Sequence, residues 1–228
     1  MQIFIDSADI EQIKKWNDYG VIDGVTTNPS IMLKDRVYDV TRGAMSIAFL
    51  VNPRPVSVEV TTNNIEDMVN QARTMSSWAP NIIIKIPVIN EYGEPTLGVI
   101  NQLEENGIRV NATAALSMGQ IMLAAKAGAS YVSIFAGRVA DEGGDAPLLI
   151  RQAIDWVTNW HYKARIIVGS IRAVMDIQQA AIAGAHVITV PPQFLAKMMD
   201  HKYTRETVRQ FVDDAVKALE KMEVARPA

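Results

Sequence analysis

The chain has 228 residues and a mass of 25.1 kDa, with 49% hydrophobic and 21% charged residues. That length suits one domain in the size class of α/β barrels, and the apolar share supplies a large core. A net charge of −3 and a pI near 5.7 argue against nucleic acid as a partner, and the absence of cysteine excludes disulfides and thiolate metal sites.

Met1–Asp6 enters a strand pattern with no basic leader, so no secretory signal is read and a cytoplasmic location is expected. No uncharged apolar run approaches the ~18 residues of a membrane span. Gln2–Asp6 is the first predicted strand, followed by a helix over about Asp9–Tyr19 with Ile10, Ile13 and Trp16 on one face. Val21–Thr26 is the second, then a turn at Thr27-Asn28-Pro29-Ser30 and a helix to about Leu50. Pro55–Val60 precedes a helix that Asn64 can cap, with Met68, Ala72 and Met75 at helical spacing. Ile82–Ile86 leads to a helix over Glu94–Asn106, and Ile108–Ala112 to one over Ser117–Ala127. Ser130–Phe135 is followed by a Gly-rich turn at Asp141–Asp145 and a helix to about Trp160. Arg165–Gly169 precedes Ala173–Ala183, and Ala185–Val190 precedes Pro192–Met199.

These are eight strand–helix units with no linker, charge block or low-complexity segment between them. The predicted fold is therefore a single (β/α)8 barrel of the TIM type over residues 1–203. An open doubly wound sheet is disfavoured because no G-x-G-x-x-G opens a helix. Thr204–Met222 is left over. Its apolar positions Val208, Phe211, Val212, Ala215, Leu219 and Met222 follow helical spacing, so 204–228 is expected to be an additional C-terminal helix and tail. It either closes its own barrel or packs on a neighbouring subunit, and the second reading makes the protein a homo-oligomer.

The most informative stretch is Asn81–Val88. Three isoleucines mark a strand in which Ile82, Ile84 and Ile86 share one face and Ile83 and Lys85 the other. With both faces covered, Lys85 is buried, which lysine tolerates only with a partner or a function. Desolvation disfavours an ammonium and frees the amine for attack on a carbonyl, so the functional reading is a nucleophile. The bland alternatives are an edge guard or a snorkelling charge. Barrel sites sit at the C-terminal strand ends. There the sequence has Asp6, Thr26 with Asn28, Glu59, Lys85, Asn111 with Thr113, Ser133 with Phe135, and Ser170 with Arg172. So many polar strand ends around one mouth are hard to explain as packing.

Five motifs carry a resemblance: Phe4-Ile5-Asp6-Ser7-Ala8, Gly24-Val25-Thr26-Thr27-Asn28-Pro29-Ser30, Ile84-Lys85-Ile86-Pro87, Gly137-Arg138 and Gly169-Ser170-Ile171-Arg172. In order and approximate spacing they are similar to the small transaldolase and fructose-6-phosphate aldolase family of Schiff-base barrels. The resemblance implies that Lys85 holds a dihydroxyacetone unit as an imine between donor ketose and acceptor aldose, with no cofactor or metal. It implies that Asp6 relays the proton of the sugar C4 hydroxyl, and that Glu59 with Thr113 holds the water that serves carbinolamine dehydration. Asn28 and Asn111 are expected to bind hydroxyls of the unit, and Thr26 to orient Asp6 or the water. Arg138, Arg172 and Ser170 match the family's phosphate grip, although a sulfonate would satisfy much of the same geometry.

Alternatives stay open for several of these residues. Asp6 could serve as a salt-bridge partner of Lys85, the asparagines as turn and cap residues, and the arginines as solvated surface groups. His161, His186 and His201 read as structural or surface. Fructose-6-phosphate aldolases of the family carry Gln and Tyr where this chain has Glu59 and Phe135, so the resemblance implies transfer between sugar phosphates. Release of free dihydroxyacetone, or a modified ketose as donor, are the alternatives. Departures at Ile89–Pro95, Ala114-Ala115-Leu116 and Ala136–Asp141, all near the expected mouth, leave the acceptor and the anionic group open.

Overall fold

In the computed structural model, which describes residues 1–224, the β-branched runs become strands and the amphipathic runs become helices. The first half contains β1 (Gln2–Asp6), α1 (Ile10–Asp18), β2 (Gly24–Thr26), α2 (Pro29–Lys34), α3 (Val40–Val51), β3 (Val56–Glu59), α4 (Ile65–Ser76) and β4 (Ile82–Pro87). Then follow α5 (Leu97–Glu105), β5 (Val110–Ala115), α6 (Met118–Lys126), β6 (Tyr131–Phe135), α7 (Ala136–Asp141) and α8 (Ala146–Asn159). The remainder is β7 (Arg165–Gly169), α9 (Val174–Ile182), β8 (Val187–Val190), α10 (Pro192–Met199) and α11 (Lys202–Val224). The eight strands pair in parallel and in sequence order, and β8 closes on β1. This is the (β/α)8 barrel expected, followed in the chain by an additional C-terminal helix. Among the described residues no helix is long and apolar enough to cross a membrane.

Alternation along the strands sorts side chains inward and outward as the sequence predicts. Phe4, Ile83, Tyr131, Ile167 and Val187, from five strands, form a buried cluster inside the barrel. Phe4 fits because its register partner on β2 is Gly24. A Cβ there would lie 2.8 Å from the Phe4 ring and 2.8 Å from the Pro55 carbonyl oxygen. Inward positions two residues further along β1 and β4 are Asp6 and Lys85. The apolar layer is thus the floor on which the polar layer stands.

Local differences from the sequence reading have local causes. The helix expected to run to Leu50 is divided into α2 and α3. Arg36 takes a left-handed φ of 61°, and Asp39 starts α3 by accepting the N–H of Arg42 at 2.9 Å. Strand β5 begins two residues later than predicted and extends to Ala115 through a register shift, with Ala114 at φ 58°. A short helix, α7, precedes the Gly-rich turn. Asn64 caps α4 as expected, accepting from Asp67 N–H at 3.0 Å.

The chain forms two compact units, Met1–Pro192 and the segment from Gln193 onward. In the second, α11 carries Val208, Phe211, Val212, Leu219 and Met222, each more than half exposed. The expected tail at residues 225–228 lies outside the described residues.

One histidine has a defined structural duty. His186 Nδ1 accepts the backbone N–H of Ile166 at 3.0 Å, which joins the start of β7 to the residue before β8. Partial burial, the Arg165 guanidinium and the N-terminal amine all hold its pKa below the ordinary histidine value. A protonated Nδ1 cannot accept, and in the window between the lowered and the ordinary value only the unfolded chain takes the proton. Stability should therefore fall as pH drops through that window. Denaturant midpoints at about pH 7 and about pH 5 should show a smaller fall in His186→Asn, whose side-chain oxygen accepts the same bond without titrating.

Candidate active site

Lys85 is 4% exposed and projects into the barrel, as alternation from Ile83 requires. Its Nζ lies 2.9 Å from Glu59 Oε2 and donates to the Thr27 carbonyl oxygen at 2.9 Å. Glu59 can reach it because β3 and β4 pair in parallel with Glu59 opposite Lys85. An ammonium has three protons, and two are taken by these contacts. The lysine stands against a cavity of about 500 Å³ that Asp6, Thr26, Asn28, Lys34, Glu59, Ser133, Phe135, Arg138, Ser170 and Thr189 also line.

Three consecutive residues at the end of β2 each hold a different part of this site. Thr26 donates to Asp6 Oδ1 at 2.6 Å. Thr27 presents its carbonyl to Lys85, and is itself fixed by donating its hydroxyl to the Ser57 carbonyl at 2.9 Å. Asn28 caps α2: its Oδ1 accepts Ile31 N–H at 2.8 Å. The cap reading of Asn28 is thus correct for its oxygen, and only the NH2 end remains for a ligand. Asp6 is paired to Thr26 rather than to Lys85. Burial raises its carboxyl pKa above the ordinary value, opposed by the Thr26 hydrogen bond and the Lys85 and Lys34 charges, while the Asp35 charge adds to the rise. Asp35 in turn holds the loop after β1, accepting from Ser7 Oγ at 2.9 Å and from the Ala8 N–H at 2.8 Å.

A second polar row lies across β3, β5 and β6. Asn111, opposite Lys85 in register, accepts from Ser133 Oγ at 2.7 Å and donates to Ser57 Oγ at 3.3 Å. It is wholly buried, and its hydrogen bonds are to protein. Thr113 is also wholly buried, and its Oγ1 has no hydrogen-bond partner. Neither lines the mouth cavity directly. Among the described residues no group of three or more His, Asp or Glu is placed to hold a metal ion.

Residues 3–228 match the family described as Transaldolase/Fructose-6-phosphate aldolase. The chain belongs to that family. It is 41% identical over 214 residues to a probable transaldolase of Desulforudis audaxviator, covering 94% of this chain and 97% of the relative. A probable transaldolase of Dehalococcoides mccartyi is 38% identical over 214 residues with the same coverage. Among solved structures, thiamine phosphate pyrophosphorylase from Pyrococcus furiosus superposes with a TM-score of 0.57 at 10% identity, over 83% of this chain and 85% of that one, a likeness of fold alone.

Within this family member, two of the expected anion-binding residues reach the cavity and one does not. Arg138 and Ser170 line it. Arg172 instead pairs with Asp141 at 2.9 Å, both exposed, and lines a separate cavity between α7, α8 and α9. Residues the sequence reading passed over are Lys34, which lines the mouth from α2, Thr189 on β8, Ser57 and Thr27. Ser57 and Thr189 carried a usable signal, because each alternates with outward valines or isoleucines. Thr27 carried none, since it acts through its main-chain oxygen.

Gly137 is what allows Ser170 and Arg172 to pack against α7. A Cβ at that position would lie 2.1 Å from the Ser170 carbonyl oxygen and 2.7 Å from Arg172 Nε. Ser170 itself sits at a left-handed φ of 60°, a conformation that costs a serine about 1–2 kcal/mol and leaves little room to yield. Gly137→Ala should therefore lower stability by about 1–3 kcal/mol, read from chemical denaturation, whereas an alanine at the open Gly98 should not.

Proposed function

We propose that this protein is a transaldolase that moves a dihydroxyacetone unit from a ketose phosphate to an aldose phosphate through an imine on Lys85. The observation that carries this reading is a lysine held between one carboxylate and one carbonyl, almost without solvent, against a cavity lined by a second carboxylate. For attack the ammonium must give up a proton, and Glu59 is the group in direct contact to receive it. The amine nitrogen then bonds to the ketose carbonyl carbon. Glu59 returns the proton to the carbinolamine hydroxyl, which leaves as water, and the iminium forms.

That iminium accepts the electron pair of the C3–C4 bond as it breaks, giving an enamine. Asp6 takes the proton of the C4 hydroxyl as it becomes the aldehyde of the departing aldose. The enamine next attacks an acceptor aldehyde, Asp6 protonates the new hydroxyl, and water releases the product ketose from Lys85. General acid–base steps of this type contribute about 10²–10⁴-fold each. Thr113 is proposed to hold the water of dehydration and hydrolysis, because its buried hydroxyl has no protein partner. Asn28 through its NH2 and Ser133 are proposed to hold the three-carbon unit from the cavity wall, with Asn111 behind them fixing Ser133 by accepting its hydroxyl. Phe135, with no hydroxyl, keeps its corner dry, which favours transfer over release.

Arg138 and Ser170 are proposed to bind the phosphate. Arg172 joins them by leaving Asp141, since an exposed ion pair is worth only about 0–1 kcal/mol and a dianion offers a guanidinium two oxygens. Cytoplasmic sugar-phosphate interconversion, of the pentose phosphate type, is the proposed setting.

Borohydride with fructose 6-phosphate should add a reduced three-carbon adduct to the protein, seen by mass. Lys85→Ala should give no adduct and no turnover, and turnover retained by it would exclude the mechanism. Asp6→Asn should still trap donor as an adduct, but turn over about 10²–10⁴-fold more slowly. Assays with and without acceptor, across phosphorylated and sulfonated sugars, separate transfer from release and identify the anion.

The exposed apolar stripe of α11 is proposed to pack on a neighbouring subunit of a homo-oligomer. Truncation after Tyr203 should then reduce the sedimenting mass to that of a smaller assembly; an unchanged assembly would rule this out.

A further inference from the structure

Thr189 lies on β8 at an inward position, two residues above Val187 of the apolar cluster, and is 5% exposed. Its hydroxyl is hydrogen-bonded to Thr26 Oγ1, and Thr26 is hydrogen-bonded to Asp6. Strands β8 and β2 both flank β1, so the two threonines meet across the face of the strand that ends in Asp6. We infer that Thr189 is a positioning residue for Asp6, acting through Thr26 as the far end of a two-hydroxyl chain that reverses direction when the carboxyl gains or loses its proton. The inference rests on the acid–base role proposed above for Asp6.

Proton counting sets the direction. An ionised carboxylate only accepts, so Thr26 must give Asp6 its one hydroxyl proton. The contact between the threonines then requires Thr189 to donate and Thr26 to accept. Once Asp6 carries a proton it becomes a donor, Thr26 accepts from it, and Thr26 turns its own proton toward Thr189. The reversal needs no movement of a heavy atom along the chain, and in the reversed state Thr189 turns its own proton toward the cavity it lines. A chain polarised in this way strengthens the bond that reaches the carboxylate.

The competing explanation is packing, since Thr189 Cγ2 lies 3.2 Å from where a Cβ would sit at Gly169. Valine keeps that methyl and puts a second methyl, which neither donates nor accepts, in place of the hydroxyl. The charged groups acting on Asp6 are Lys85 from β4, Lys34 from α2 and Asp35 just after α2, with Glu59 and Arg138 lining the same cavity. Thr189→Val alters none of them, so a change in Asp6 titration reports the hydroxyl chain.

The test follows the ¹³C signal of the Asp6 side-chain carboxyl with pH in the ligand-free protein, alongside borohydride trapping and the pH profile of turnover. Thr189→Val should raise the Asp6 midpoint by at least about half a pH unit, because donation from Thr26 is what favours the ionised form. The acid limb of turnover should move up with it, while trapping of donor on Lys85 stays as in wild type. Thr189→Ser should restore both. A Thr189→Val protein that titrates as wild type, or a Thr189→Ser protein as altered as Thr189→Val, would overturn the inference in favour of packing. Should Thr189→Val not fold, Thr189→Ala carries the same expectation against the serine variant. Failure of wild type to trap donor would instead remove the proposed function, and the carboxyl titration would still decide the role of Thr189.

Discussion

The structure depends on placing one cationic side chain in a nearly dry interior and giving it partners there. Two charges taken out of water cost several kcal/mol each, and their attraction offsets this only with good geometry and further hydrogen bonds. Lys85 meets both conditions: a carboxylate from the adjacent strand at 2.9 Å and a main-chain carbonyl from β2 at 2.9 Å. Deleting one partner of such a pair typically costs about 3–5 kcal/mol, a large part of the ~5–15 kcal/mol that holds an ordinary domain folded. A barrel provides this arrangement cheaply, because parallel register puts Glu59, Lys85 and Asn111 side by side on consecutive strands.

Around that pair, small residues and single hydrogen bonds determine what else can approach. Gly24 leaves space for Phe4, which seals the floor, and Gly137 lets Ser170 and Arg172 close over α7. Thr26, Thr27 and Asn28 hold in turn the acid, the lysine and the first turn of α2. The same three residues therefore couple the strand end to the cavity wall, and a shift in one displaces the others. Asp35 gives the β1 end equivalent support by binding the loop that follows Asp6.

The two carboxylates differ because their surroundings differ. Glu59 is joined to a cation, whereas Asp6 faces a hydroxyl and is desolvated, which raises its affinity for a proton. That separation suits the two proton-transfer roles proposed for them, one at the amine and one at the sugar. The two arginines are divided, since Arg138 faces the cavity and Arg172 is held by Asp141 at the surface. Asp141 closes the stretch Ala136–Asp141, where a departure from the family pattern is expected, and its ion pair is what holds Arg172 away from the cavity.

Eight strands, their closure into a barrel and the burial of Lys85 were legible in the sequence, because period-two alternation and strand-end position depend only on local order. Asp6, Glu59, Thr26, Ser133 and Phe135 were legible for the same reason. The division of the second helix turned on a left-handed Arg36 and a capping Asp39, and nothing in the hydrophobic pattern marks that break. Partnerships were decided by tertiary structure alone. That Glu59 rather than Asp6 holds Lys85, that Thr27 contributes an oxygen common to every residue, and that Thr189 meets Thr26 over 163 positions of sequence follow from register and closure. A linear pattern specifies which way a side chain points along its own strand. Which atom it meets depends on strands that become neighbours only when the ring is complete.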